Sequence, residues 1–267
     1  MLAEFRNEPL TDFSQPGNAK AFRIALDKVK SEIGKTYPLV IGDQRINPED
    51  VFPSVNPARP DEVLGYFANA TPDHVNRAIE TASAAFETWK KVPADERARY
   101  VVNAADAMRR HKHEFSAVLV LECGKNWSEA DADTAEAIDF LEYYARQILR
   151  IADSSHMLTE HSGEKVRLQY IPLGVGAIIP PWNFPNAISA GMTAAAIVSG
   201  NTAVLKPAEQ TPWIGYKIAE LLWDAGLPSG VLNFLTGPGE IVGGRMVEHP
   251  QTRFIAFTGS REVGTQI

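Results

Sequence analysis

From Leu173 onward the chain alternates strand and helix, with short polar loops between them. Apolar runs at 174–179, 202–206, 230–235 and 253–257 predict strands. The stretches 184–198, 212–224, 239–248 and one opening near Ser260 predict helices. Short connections between buried-type strands fit parallel βαβ units. Ligands of such sheets gather at the carboxyl ends of the strands. Every polar motif of this half falls there.

The first motif, Pro180-Pro181-Trp182-Asn183-Phe184-Pro185, follows the first strand and brackets Asn183 with prolines, restraining it on both sides. A fixed amide N–H can stabilise a developing oxyanion. A turn asparagine bonding its own backbone is the competing reading. Past the second strand come Lys206 and Glu209, three apart. A carboxylate there suits the two hydroxyls of an adenosine ribose and repels a 2′-phosphate, whereas an exposed ion pair of no function is the plain alternative. After the fourth strand, Thr258-Gly259-Ser260 leads into a helix whose first amides and hydroxyl would face a pyrophosphate. An ordinary strand-to-helix turn is the alternative, and Gly237-Pro238-Gly239 after the third strand is open to the same two readings.

The rest of the chain reads differently. Residues 19–33 carry Phe22, Leu26, Val29 and Ile33 at helical spacing, 37–46 alternate as a strand with a Gly42-Asp43 turn signal, and 63–68 form a short strand. Residues 56–60 form a proline-punctuated loop. Thr71-Pro72 opens a helix to about Lys91, Pro93 another to about Glu122, and Asn126 caps a third to about Ile151. Residues 165–171 alternate as a further strand. The third helix places Glu136, Phe140 and Tyr143 on one face, beside Asp131, Asp133 and Asp139. A buried glutamate there would bind a substrate ammonium; a solvated acidic stripe is the competing reading.

Composition excludes several classes. A net charge of −7 over 267 residues argues against a nucleic-acid partner, and the basic run Arg109–His113 reads as a solvated helix end. The single cysteine, Cys123, rules out an internal disulfide and fits a reducing compartment. No signal core or membrane-length apolar run is present, so a cytoplasmic location is expected. Ala117 stands where the zinc motif begun by His113-Glu114 needs its second histidine, and no metal is implied. Cys123 has no obvious base and reads as structural.

Taken together, Pro181-Trp182-Asn183-Phe184-Pro185, Leu205-Lys206-Pro207-Ala208-Glu209, Gly237-Pro238-Gly239 and Phe257-Thr258-Gly259-Ser260 resemble the aldehyde dehydrogenase superfamily in order and spacing. Phe5-Arg6-Asn7-Glu8-Pro9, the segment 37–42 and the acidic helix 129–140 resemble its 1-pyrroline-5-carboxylate dehydrogenase branch. The resemblance implies an α/β fold with N-terminal helices and short strands before a Rossmann-like parallel sheet. It divides the chain into an arm (1–36), a helical and strand region packing on the cofactor domain (37–171) and an incomplete dinucleotide-binding region (172–267).

It also implies NAD as cofactor and a small aldehyde as substrate, most closely L-glutamate γ-semialdehyde, in a homo-oligomeric enzyme. Asn183 would complete the oxyanion hole. Lys206 and Glu209 would hold the ribose, Gly239 and Val263 the adenine, and Ser260 the pyrophosphate, with Trp182 and Thr258 near the nicotinamide. Phe184 and Glu136 would face the substrate. The family's nucleophilic cysteine and general-base glutamate lie beyond the Phe-Thr-Gly-Ser turn, and Cys123 does not match that motif, so an inactive chain truncated before the catalytic domain is expected. A non-catalytic NAD-binding or interaction fragment, and an aldehyde dehydrogenase of different substrate, are the alternatives.

Overall fold

Proline and glycine set most of the element boundaries in the computed structural model, which describes residues 2–153, 162–163, 166 and 168–267. Pro16 opens α1 (Pro16–Lys30), which buries Phe22, Ala25 and Val29. The expected strand at 37–46 is three strands. Pro38, which has no N–H to donate, separates β1 (Lys35–Tyr37) from β2 (Leu39–Ile41). Gly42, at φ 62°, then turns β2 back into β3 (Gln44–Ile46).

β4 (Val51–Asn56) has no counterpart among the sequence expectations, because Pro53 breaks its pattern. It is an edge strand, where a missing ladder donor is tolerated. β5 (Arg59–Ala68) is longer than the expected 63–68, and the loop expected at 56–60 shrinks to the two-residue turn Pro57-Ala58, since Asn56 pairs with Arg59 across the hairpin.

α2 (Pro72–Trp89) begins as expected. The Thr71 hydroxyl accepts from the His74 N–H, and His74 Nδ1 accepts from the Thr71 N–H in return. The single helix expected at 93–122 is two, α3 (Ala94–Arg110) and α4 (Lys112–Cys123), broken at His111 with φ −110° and ψ 21°. No glycine or proline marks this break. Contacts from elsewhere hold the new direction: Lys28 reaches Glu114 at 2.7 Å, and buried Lys112 reaches Asp131 at 3.0 Å.

Gly124, left-handed at φ 68°, ends α4, and Asn126 caps α5 (Trp127–Ala152) by accepting from the Glu129 N–H at 3.0 Å. The strand expected at 165–171 is absent at residues 166 and 168–171, while 165 and 167 lie outside the described residues.

The alternating half follows: β6 (Val175–Ile179), α6 (Pro185–Val198), β7 (Thr202–Leu205), α7 (Pro212–Asp224), β8 (Leu232–Phe234), α8 (Gly244–Glu248), β9 (Thr252–Phe257) and α9 (Arg261–Gln266). The helix expected over 239–248 starts as a π-helical turn, Gly239–Gly243, and only then becomes α8. One six-stranded sheet has the order β3-β2-β8-β7-β6-β9, in which β8, β7, β6 and β9 are parallel and the β2–β3 hairpin is antiparallel. A second sheet, β1-β5-β4, stands apart.

Side chains of the large sheet divide by strand alternation. Ala203, Leu205 and Ile178 face a core shared with α3–α7, whereas Val204, Val175 and Ala177 face a second core under α2 and α8. Burial on both faces explains why these strands read as continuous apolar runs. Among the described residues, no helix is long and apolar enough to cross a membrane.

Candidate active site

Parallel pairing fixes where the motifs go. β6, β7, β8 and β9 all point the same way, so the segments after them emerge along one carboxyl edge. Asn183 follows β6, Lys206 and Glu209 follow β7, Gly239 follows β8, and Thr258 and Ser260 follow β9.

Lys206 and Glu209 meet there. Lys206 is only 3% exposed, and its ammonium donates to the Pro207 carbonyl at 3.3 Å and lies 3.8 Å from Glu209 Oε1. Burial pushes its pKa below the ordinary lysine value, against the pull of Glu209 and Glu240. Glu209 Oε1 also accepts the Gly239 N–H at 2.7 Å, which ties the loop after β7 to the turn after β8. Its other oxygen, Oε2, has no protein partner among the described residues, so a buried donor and an open acceptor stand side by side. That pairing fits a vicinal diol.

On the other side of β6, Ser260 caps α9 by accepting from the Val263 N–H at 3.2 Å. Both residues are exposed. They stand two strands away from the Lys206–Glu209 pair, about 10 Å by strand spacing, and share its edge rather than its contacts. Thr258 donates its N–H to the Ile179 carbonyl at 3.2 Å, and its hydroxyl meets Met192 Sδ at 3.6 Å. Trp182, 60% exposed, and Asn183 lie open to solvent in the loop between β6 and α6.

The acidic helix is not a solvated stripe. Asp131 and Asp133 are buried, and each is paired: Asp131 with Lys112, Asp133 with Lys125 at 2.8 Å. Glu136 is exposed rather than buried. Partial burial raises its pKa, as do the charges of Asp133 and Asp139, while Lys125 opposes them. Asp133 Oδ1 accepts the Ala187 N–H of α6 at 2.8 Å, and the Lys125 ammonium lies 4.1 Å from the centre of the Phe184 ring. Lys125 and Asp133 therefore tie Phe184 and the first turn of α6 to α5, and both charges act on Glu136.

Sequence reasoning missed three residues here. Lys125 sits in a three-residue connection with no periodicity to mark it. Asp133 was grouped with an exposed stripe. Glu122, at the end of α4, carries no motif, yet its buried carboxylate accepts from the Trp213 and Ile214 N–H groups of α7 at 2.8 and 2.9 Å and from the Ser54 hydroxyl at 2.9 Å. Burial pushes this carboxyl up to about 7, and the three donors work in the opposite direction. Cys123 lies beside it. Burial, and then the charge of Glu122, pushes the thiol up and away from the reactive thiolate.

Residues 45–267 match the Aldehyde dehydrogenase family. The chain belongs to that family. Among aldehyde dehydrogenases it is 54% identical, over its whole length, to the 1-pyrroline-5-carboxylate dehydrogenase of Geobacillus thermodenitrificans, of which it covers 52%. It also superimposes on a 1-pyrroline-5-carboxylate dehydrogenase from Thermus with bound NAD. That match has a TM-score of 0.96 and 47% identity, and covers 99% of this chain and 51% of the other. The Mycobacterium tuberculosis Delta-pyrroline-5-carboxylate dehydrogenase bound with NAD gives a TM-score of 0.92 at 30% identity, covering 99% and 50%. The chain spans about half the length of the curated relatives it matches.

Proposed function

We propose that this chain carries the cofactor-binding part of an NAD-dependent dehydrogenase that oxidises L-glutamate γ-semialdehyde, the open form of 1-pyrroline-5-carboxylate, to L-glutamate. The observation that carries the reading is the buried Lys206 ammonium beside Glu209, whose Oε2 is open, on the carboxyl edge that also presents Asn183. NAD, when bound, supplies the hydride acceptor.

The residues divide the work. Glu209 accepts the two hydroxyls of the adenosine ribose, and its charge repels a 2′-phosphate, which selects NAD over NADP. Lys206 donates to the same ribose, and its burial strengthens that bond. Ser260 meets the pyrophosphate, Gly239 and Val263 line the adenine, and Trp182 and Thr258 border the nicotinamide. The Asn183 amide N–H donates to the oxyanion that forms when a thiolate adds to the aldehyde. Glu136 answers the substrate ammonium, and Phe184 packs beside it.

In this reading Cys123 is not the attacking thiol, since it is buried with a raised pKa. The nucleophile and the base for thioester hydrolysis come from sequence outside these 267 residues. The isolated chain therefore binds NAD without turning over substrate. Calorimetric titration tests this: NAD should bind measurably and NADP much more weakly. Absence of NAD binding, or equal binding of both, would overturn the assignment of Lys206 and Glu209. NADH formation from pyrroline-5-carboxylate above a heat-killed control would overturn the assignment of the nucleophile.

A further inference from the structure

Asn183 has to present its amide in a fixed direction, yet it sits exposed in the loop entering α6. Its neighbours must therefore supply the rigidity. Phe184, the N-cap residue of α6, makes no side-chain capping bond and is 44% exposed. A cation from the connection between α4 and α5 stands over its ring. We propose that Lys125 is a positioning residue for the Asn183 loop: its ammonium clamps the Phe184 ring and, through the ion pair with Asp133, fixes the first turn of α6.

Three links form the clamp. Lys125 Nζ stands 4.1 Å from the Phe184 ring centre, inside cation–π range. The same atom lies 2.8 Å from Asp133 Oδ2, and Asp133 Oδ1 receives the Ala187 N–H at 2.8 Å. The Lys125 side chain is 11% exposed and that of Asp133 is fully buried, so solvent competes little with either contact.

The backbone of Lys125 is fixed on both sides, by left-handed Gly124 that ends α4 and by Asn126 that caps α5. One cation thus holds the residue following Asn183 and the helix start beyond it. Its charge also opposes the rise of the Glu136 pKa that burial, Asp133 and Asp139 cause. This role deepens the aldehyde-oxidation reading and rests on it.

The test uses the 267-residue chain labelled with 15N. Signals of the Trp182 indole and the Asn183 side-chain amide are assigned by W182F and N183D, and their heteronuclear NOEs report picosecond-to-nanosecond mobility. In Lys125→Met both NOEs should fall, while the amide of Ile138, buried within α5, keeps its value. Lys125→Arg should restore rigidity, because guanidinium also stacks on aromatic rings and pairs with carboxylates. Phe184→Leu, with Lys125 intact, should loosen the loop as Lys125→Met does.

Rigid loop signals in Lys125→Met would overturn the proposal, as would equal loosening of Ile138, which would mark a general structural effect. Should Lys125→Met fail to fold, a rigid loop in Phe184→Leu overturns it instead. A failed NAD titration of the unaltered chain would count against the dehydrogenase reading and leave the loop measurement standing.

Discussion

Glu122→Gln should change how stability responds to pH, and the sign follows from the burial of this carboxyl. Its pKa is raised from the ordinary 4.5 to about 7, first by desolvation. At about 1.36 kcal/mol per pKa unit, that rise corresponds to roughly 3 kcal/mol. A group whose pKa is higher in the folded state contributes most below its unfolded value. The contribution is fully present below pH 4.5 and is lost as pH rises through 7. The neutral acid and glutamine both have to turn a hydrogen toward one of three donors, the Trp213 and Ile214 N–H groups and the Ser54 hydroxyl. The two side chains therefore start from a similar position in acid. Between pH 4.5 and pH 8 the stability difference should then move in favour of Gln by about 3 kcal/mol. Urea unfolding of both proteins, followed by circular dichroism at several pH values, measures that difference and cancels the titrations they share. A difference that stays flat, or moves toward the wild type as pH rises, would show that the three donors outweigh desolvation and would refute the reasoning.

Two further substitutions probe the loop after β7. Gly215→Ala places a Cβ 2.7 Å and 2.9 Å from two atoms of the Pro207 ring, which cannot swing away. Overpacking of about 1–3 kcal/mol should exceed the helix-propensity gain of about 1 kcal/mol. A lower Tm and weaker NAD binding are expected, and a Tm at or above wild type would contradict the tight α7–Pro207 contact. Glu209→Gln keeps an oxygen for the Gly239 N–H but removes the charge. A charge-assisted hydrogen bond contributes about 1.5–3 kcal/mol, so calorimetry should find NAD weakened about tenfold or more and the preference over NADP narrowed. Unchanged selectivity would remove Glu209 from the ribose site.

Much of the parallel half was legible because both signals it depends on are local. Continuous apolar runs mark strands buried on two faces, and proline marks the first helical turn at Pro185 and Pro212. The N-terminal half failed where the deciding contact lay elsewhere in the chain. The break at His111 has no local breaker, and Lys112 is directed by Asp131. β4 hid behind Pro53, which only an edge strand tolerates. Asp131 and Asp133 read as solvated because no sequence pattern announces that Lys112 and Lys125 will be buried beside them.

Two of the buried carboxylates that no motif announces, Asp133 and Glu122, do the same physical work. α6 and α7 are the helices that leave the strand ends carrying Asn183 and Lys206. Both begin with proline, and neither N-cap residue makes a side-chain capping bond. Helix starts carry unpaired N–H groups and a partial positive charge, and both favour a nearby anion. Here the anions are borrowed. Asp133 from α5 meets Ala187 in α6 across 54 residues of sequence, and Glu122 from α4 meets Trp213 and Ile214 in α7 across 91 and 92. A helix capped by its own Ser or Asp carries that cap wherever it lies. One capped by a carboxylate on another element has its first turn complete only when the two are docked. The carboxyl-edge loops are thus set by the packing of α4 and α5 as much as by the sheet beneath them, which is why residues far from every recognisable motif bear on the site.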